Sequence, residues 1–420
     1  MYNDLMDNRE NLKKTKLSNG LNMLIYEMPW ARSVTAQLWV NAGSRFEKKI
    51  NSGISHFLEH MLFEGTKDYP TNRELNKAIS SLGGDSKAYT SKEEVFYQMK
   101  FPSENGQEAI NFLYEIISGS LLSESTIEKE KNIITQELAR ERDNPEAYKW
   151  QALLNFLWSN DSSLGRNTIG TKESVARITR EDLINFKDKM YIPSNMTLVI
   201  TGNIKSNEAI EAADNTFGLL KNSGPNAVYP AVELAAHNNR TSRVYLEKMN
   251  ELGQIYIMMG FTSNITFKSP SYIASEVLNQ MLSLQIFDSM VYKKGLSYSA
   301  NSFSWSFKDH TLETLMVEID PAKLLETVKV MVDEVKNLSI TSNSLNEAKS
   351  ELKKSNFLDL SDTDKLADFF GEQEFFGQEV LLPEEVKKRI DEVGVSDLIR
   401  LKEEILNYSN VAIAILGHSG

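Results

Sequence analysis

Three landmarks recur in this 420-residue chain at one fixed spacing. Asp182-Leu183-Ile184, Ser194-Asn195 and Gly202 return 215 residues later as Asp397-Leu398-Ile399, Ser409-Asn410 and Gly417, with Lys187 and Lys402 in the same register. A constant offset across a helix, a turn and an apolar strand marks an internal duplication, so the chain must fold as two similar units. Its length agrees, because a single core stops growing at roughly 250–300 residues. The boundary is expected within 222–240, where Ser223-Gly224-Pro225, Pro230 and Asn238-Asn239 interrupt every periodicity. The expected organisation is an N-terminal domain over 1–222, a linker over 223–240 and a homologous C-terminal domain over 241–420. Each copy opens with strand-like runs (21–27 and 34–41; 242–246 and 254–261), continues with long helical segments and closes on an apolar strand. Strands first and helices afterwards predict an α+β fold, two antiparallel-rich sheets each covered by helices.

Composition narrows the chemistry. The chain has no cysteine, which excludes disulfides, thiolate nucleophiles and iron–sulfur clusters, so any metal must be held by imidazole and carboxylate. The net charge of −12 repels nucleic acid and anionic lipid and favours neutral or basic partners. The longest apolar runs, such as 411–416, fall far short of the ~20 residues that span a bilayer. The first residues, Met1-Tyr2-Asn3-Asp4-Leu5-Met6-Asp7-Asn8, lack the basic and apolar regions of a signal peptide, and the expected compartment is the cytoplasm.

Histidine is scarce, with five in the chain, yet two fall four apart in His56-Phe57-Leu58-Glu59-His60. Positions i and i+4 of a helix share a face, close enough to hold one ion. Glu59 can then reach a water on that ion without being a ligand. A catalytic zinc usually takes three protein ligands, and without cysteine the third must be a carboxylate or another histidine. Residues 123–142 read as a helix with Ser123 as N-cap, on which Glu130 and Glu137, seven apart, point the same way. By itself such a pair is most often a solvated acidic stripe.

This pattern, with 76 residues between His60 and Glu137, resembles the inverted-zincin metallopeptidases: pitrilysin, insulin-degrading enzyme, the mitochondrial processing peptidase and their short bacterial relatives. The resemblance covers nearly the whole chain and the two-copy layout of the short branch. It includes Asn19-Gly20-Leu21, Gly43-Ser44-Arg45, Phe63-Glu64-Gly65-Thr66, Gly83-Gly84, Ala88-Tyr89-Thr90-Ser91, Leu164-Gly165-Arg166, Gly170-Thr171 and Gly202-Asn203-Ile204. It implies a zinc-dependent endopeptidase with one Zn²⁺ per chain held by His56, His60 and Glu137. Glu59 would be the general base toward a metal-activated water, and Glu130 an outer group orienting a histidine. Glu64 is expected beyond the helix end and outside the ligand set.

The resemblance further implies that a peptide adds as a strand along a sheet edge formed by Gly84, Asp85, Ser86, Lys87, Ala88 and Tyr89. Relatives carry Asn where this chain has Lys87, which reads either as edge protection or as altered substrate preference. The second copy lacks the histidine motif; its helix near 272–284 reads Ile273-Ala274-Ser275-Glu276-Val277-Leu278. Relatives draw an Arg and a Tyr from this copy. Here Tyr298 is retained as a donor to the developing oxyanion, while Val291 stands where Arg is expected, with Lys293 and Lys294 nearby. Such chains pair as a clamshell, so the resemblance implies a homodimer, or a heterodimer whose partner supplies an intact Arg/Tyr pair. A non-catalytic scaffold subunit is the alternative, and the retained ligands with Glu59 favour an enzyme. The substrate class is unstructured peptide, with basic peptides favoured by the acidic balance. The glycine-spaced run 165–172 reads as a turn before a helix, and Phe369-Phe370 with Phe375-Phe376 as core. His237, His310 and His418 have no partner at ligand spacing.

Overall fold

The computed structural model describes residues 8–159, 162–222, 224, 244–249, 253–358, 360–407 and 411–417. They form two compact units, each an α+β body built on one sheet.

The first sheet contains β1 (Leu12–Lys16), β2 (Asn22–Glu27), β3 (Ser33–Val40), β4 (Asp85–Thr90), β5 (Val95–Pro102) and β6 (Met196–Gly202), in the order β1-β2-β6-β3-β5-β4. Only β2 and β6 run parallel; the other pairs are antiparallel. The burial of each strand follows from its place. Every residue of β6 is buried, as a central strand covered on both faces requires, whereas β4 alternates half-buried and exposed residues and lies at the edge. The second sheet contains β7 (Val244–Lys248), β8 (Ile255–Ser263), β9 (Ala300–Ser306), β10 (Thr311–Ile319) and β11 (Val411–Gly417), in the order β7-β11-β8-β10-β9. Its parallel pair is β7 with β11. The order repeats that of the first sheet without β1, as the duplication predicts.

The units are not contiguous in sequence. The first comprises Met1–Arg140, Asn160–Val232 and Asp359–Leu382; the second comprises Glu141–Ser159, Glu233–Leu358 and Pro383–Gly420. The helices that matter below are α1 (Ile54–Phe63), α2 (Glu108–Gly119), α3 (Glu124–Asp143), α4 (Pro145–Trp158), α5 (Lys172–Arg177), α6 (Tyr272–Phe287) and α7 (Thr363–Phe375). Although α4 arises in the first copy, it packs on the second sheet: Phe156 stacks on Tyr245 at 5.7 Å and Trp158 meets Phe307 edge-on at 5.9 Å. In exchange, α7 packs on the first sheet, with Phe370 5.1 Å from Tyr26 and Phe375 5.7 Å from Trp39. Gly371 makes the approach possible, since a Cβ there would come 2.5 Å from the Trp39 indole nitrogen. Helical periodicity tells that such a helix owns an apolar stripe and is silent on which sheet receives it. The boundary expected at 222–240 lies outside the described residues, apart from Asn222 and Gly224, as do His237, His418 and Ser409-Asn410.

On the face of the first sheet opposite α7, α1 and α2 cover the main core. Ile54, Phe57, Leu58, Met61 and Leu62 of α1 are all buried there. Each such side chain contributes roughly 1.5–3 kcal/mol relative to exposure, so the helix that carries the histidines is fixed by its apolar stripe. No described helix is long and apolar enough to cross a membrane.

Candidate metal centre and peptide edge

Once the apolar stripe of α1 faces the core, His56, Glu59 and His60 are left together along its other side. Facing them is α3, whose N-terminus is capped by Ser123, its Oγ accepting from the Thr126 N–H at 3.3 Å. Ile127, Glu130 and Ile134 are the buried positions of α3, and Glu137 follows Glu130 two turns on, half-exposed. Two helices from separate stretches of chain therefore deliver the residues singled out in the sequence.

The three expected ligands converge. Glu137 Oε2 lies 3.7 Å from His56 Nε2 and 3.6 Å from His60 Nε2, and the imidazole centroids are 4.6 Å apart. In a tetrahedral site with bonds of about 2.0–2.1 Å, ligand atoms sit roughly 3.3–3.4 Å from one another. The carboxylate is thus within a few tenths of an ångström of that spacing from each imidazole, and two imidazoles with one carboxylate are a common zinc set. Among the described residues it is the only group of three such donors within 4.8 Å of one another. Glu64 stays outside it, as expected: it caps the C-terminus of α1 and pairs with Lys129 at 3.0 Å.

The two imidazoles sit in opposite electrostatic surroundings. Burial, aided by the neighbouring His60, pushes the His56 imidazole down to about 3, so it is neutral at any working pH. Its Nδ1 is buried without a hydrogen-bond partner. His60 shifts the other way: burial works against its charge, but Glu130, Glu59 and Glu137 outweigh burial and raise its pKa. Glu130 Oε2 stands 3.1 Å from His60 Nδ1. A proton held there leaves Nε2, the atom facing Glu137, free to bind metal. Burial opposes ionisation of Glu130, but His60 and Lys129 more than offset it and hold the carboxyl below its usual value.

Glu59 sits between helix and sheet. Thr90 Oγ1, on β4, donates to Glu59 Oε2 at 2.8 Å. Burial raises the Glu59 carboxyl, Thr90 and His60 pull it down, Glu137 pushes it up, and the net direction is upward. Beneath lie the buried hydroxyls of Tyr97 and Tyr191, 2.7 Å apart. A carboxylate with a raised affinity for protons, beside three converging ligands, has the character of a general base.

The segment 84–89 lies where the sequence expectation put it, at the edge of the sheet next to α1. Alternation along β4 decides which side chains see the metal helix. Ala88 packs against the core and Thr90 holds Glu59, whereas Lys87 Nζ lies 5.6 Å over the Phe96 ring and Tyr89 stacks on Phe96 at 4.7 Å. Lys87 therefore belongs to the opposite face of the sheet from Glu59. Gly84 precedes the strand, where a Cβ would meet the Phe101 ring at 2.3 Å.

Tyr298 belongs to the second unit, and its side chain is 95% exposed. Val291 lies in a wide helical turn, Asp288–Lys293, in which Lys293 pairs with Asp288 at 2.6 Å. His310 is buried against Trp158 and Phe307, an aromatic packing role. The run 165–172 is the turn that leads into α5, which Thr171 and Ser174 open with a capping box. Sequence reasoning missed Thr90 as the partner of Glu59; its place in Ala88-Tyr89-Thr90-Ser91, one alternation from Ala88, was the available signal.

Comparison with known proteins agrees with the two-unit fold. The family model described as Insulinase (Peptidase family M16) matches residues 22–172, and that of the Peptidase M16 inactive domain matches 177–352. An uncharacterized zinc protease of Rickettsia felis is 27% identical over 97% of this chain and 98% of its own length. The mitochondrial-processing peptidase subunit beta of Neurospora crassa is 26% identical over 96% of this chain and 87% of its own. Among solved structures, a protease from Helicobacter pylori superposes with a TM-score of 0.86 at 21% identity, covering 97% of this chain and 99% of that one. The chain belongs to the insulinase, or M16, family of inverted-zincin peptidases, residues 22–172 matching the family's peptidase model and 177–352 its inactive domain.

Proposed function

We propose that this protein is a zinc metalloendopeptidase that hydrolyses unstructured peptides, with one Zn²⁺ per chain bound by His56, His60 and Glu137. The observation that carries the reading is the convergence of His56 Nε2, His60 Nε2 and Glu137 Oε2 beside Glu59. A zinc ion held there supplies Lewis acidity, acidifying water and polarising a peptide carbonyl. The chain's own residues do the rest. Glu59 takes the proton of the attacking water and returns it to the leaving amine; Thr90 orients the Glu59 carboxylate from the edge strand. Glu130 fixes the His60 tautomer. The β4 edge supports docking of an extended peptide by backbone hydrogen bonds, which makes little demand on its sequence.

The reading extends to assembly. A tyrosine as exposed as Tyr298 suits a group that acts on a substrate held with a second chain, donating to the carbonyl oxygen. A pair of such chains would close a chamber around short peptides. Val291 favours a partner that brings its own arginine, and the Neurospora crassa relative is itself named a subunit. Metal analysis and a peptide-cleavage assay test the core of the proposal. The purified protein should hold one zinc per chain. Glu59→Gln should keep that zinc and lose roughly 10²–10⁴-fold in rate, the usual worth of a general base. A wild-type protein without a divalent ion, or a Glu59→Gln protein that cleaves normally, would overturn the reading.

A further inference from the structure

The N-terminus of α1 is held by a residue that the metal chemistry does not use. Gly53 caps the helix with φ +92 and offers no side-chain acceptor. Glu47 fills that role from a distance: one carboxylate oxygen accepts from the Gly53 N–H at 2.8 Å and the other from the Ser55 N–H at 2.9 Å. Both donors are among the free N–H groups with which a helix begins, where a negative charge also meets the positive end of the helix dipole. His56, the first ligand, is the next residue.

The loop over 165–171, whose glycines look like a phosphate cradle in sequence, clamps the same point from outside. A Cβ on Gly53 would come 2.3 Å from the Ile169 carbonyl oxygen, and one on Gly170 would come 2.3 Å from that of Ser52. Ser174 Oγ donates to the Ser52 carbonyl at 2.7 Å, and Arg166 Nη2 donates to the Glu47 carbonyl at 2.8 Å. Two segments far apart in sequence, one just after Gly43-Ser44-Arg45 and one containing Leu164-Gly165-Arg166, thus meet at the start of α1.

We propose that Glu47 is a positioning residue for the metal centre, its carboxylate fixing the first turn of α1 and through it the aim of His56, Glu59 and His60. The inference rests on the zinc reading above and deepens it.

A point of energetics separates this from a purely structural role. Glu47 is 6% exposed, and burial pushes its carboxyl up to about 7, against the bonds from Ser55 and Gly53 and the charge of Arg166, which pull it down. A folded-state pKa above the unfolded value means stability that is full below pH ~4.5 and is lost as pH rises through about 7. At pH 8 the charged carboxylate therefore burdens folding. A neutral isostere would relieve the burden, but it has one carbonyl oxygen for two N–H donors. Fold stability and site geometry should consequently respond in opposite directions.

The test is Glu47→Gln at pH 8, read by three measurements on the full chain: thermal midpoint, zinc affinity by chelator competition, and amide exchange at 53–56. The expected result is a midpoint equal to or above wild type, zinc affinity lower by about tenfold, and faster exchange confined to the first turn of α1. Glu47→Asp, which keeps the charge, should recover part of the affinity. Unchanged affinity and exchange would overturn the proposal. So would affinity and midpoint falling together, or failure of Glu47→Gln to fold, since the carboxylate would then serve stability alone. If wild type binds no zinc, the metal reading falls, and the exchange comparison still decides whether Glu47 orders the helix.

Discussion

In the first unit, α1 sets His56, Glu59 and His60 over a sheet whose β5 carries Tyr97; in the second, α6 carries Glu276, Asn279 and Gln280 beside β10, on which Glu313 accepts a bond from Asn279. Glu313 is buried, bonded by Ser304 Oγ at 3.0 Å and by Asn279, and pushed up to about 8 by burial and by Glu276. Both units bury carboxyl groups under the same helix, and they discharge them differently. In the second unit a proton does it at neutral pH. In the first, His56, His60 and Glu137 bring three donor atoms together around one point, an arrangement that suits a cation. The shared architecture thus offers the geometry of a metal site, among the described residues, only where nitrogen donors meet a carboxylate from a second helix.

Removing that second-helix carboxylate should break the contrast most strongly. If ligands share the ~10–16 kcal/mol of a structural zinc, deleting one of four costs about 3–4 kcal/mol, or roughly 10²–10³-fold in affinity. Glu137→Ala should therefore lose zinc to a chelator that wild type resists, and lose cleavage with it. Wild-type affinity in Glu137→Ala would mean that the first unit, like the second, has no metal site at this point. Next in size is Glu130→Gln, which keeps the shape of the Glu130 side chain but removes the charge beside His60 Nδ1. Outer groups of this kind are worth about 10–100-fold in affinity or rate. Chelator competition measures it, and an effect below twofold would show that Glu130 does not set the tautomer.

For the second unit the expectation concerns pH. Since the folded-state value of Glu313 is raised to about 8, its stabilisation is full below pH ~4.5 and is lost as pH rises through about 8. Between pH 7 and 9 this amounts to on the order of 1 kcal/mol. Glu313→Gln is neutral throughout, so urea melts at the two pH values should differ less in the variant than in wild type, with zinc binding untouched. Equal slopes would mean that Glu313 is already ionised at pH 7, and that the second unit discharges its carboxyl by some other means.

Much of this was legible before any coordinates. The 215-residue repeat foretold two similar sheets, and helical periodicity put His56 and His60 on one face, while Glu137 entered as third ligand only through the resemblance to the inverted-zincin peptidases. What stayed hidden depends on contacts far apart in sequence. The exchange of α4 and α7 between units leaves no local trace, since an amphipathic helix reads the same whichever sheet receives it. Likewise Glu47 is an ordinary glutamate in the sequence, and its carboxylate acquires meaning only when Gly53 and Ser55 present bare N–H groups to it.

Lys87 is the smallest test and the one that most sharpens the reading of the edge. Read from the sequence, this lysine was open to two readings, protection of the edge or altered substrate preference. Strand alternation argues against the second: Thr90 and Ala88 face α1, so Lys87 faces Phe96 and the field of Asp368 on α7. A peptide adding to β4 meets the backbone of residue 87 and the side chains of its alternate neighbours. Lys87→Asn should accordingly behave as a surface change of within ~0.5 kcal/mol, about twofold in kcat/KM on an unstructured peptide. A tenfold change would place that side chain against substrate and would mean that peptide engages the face of the sheet covered by α7 as well as the edge beside Glu59.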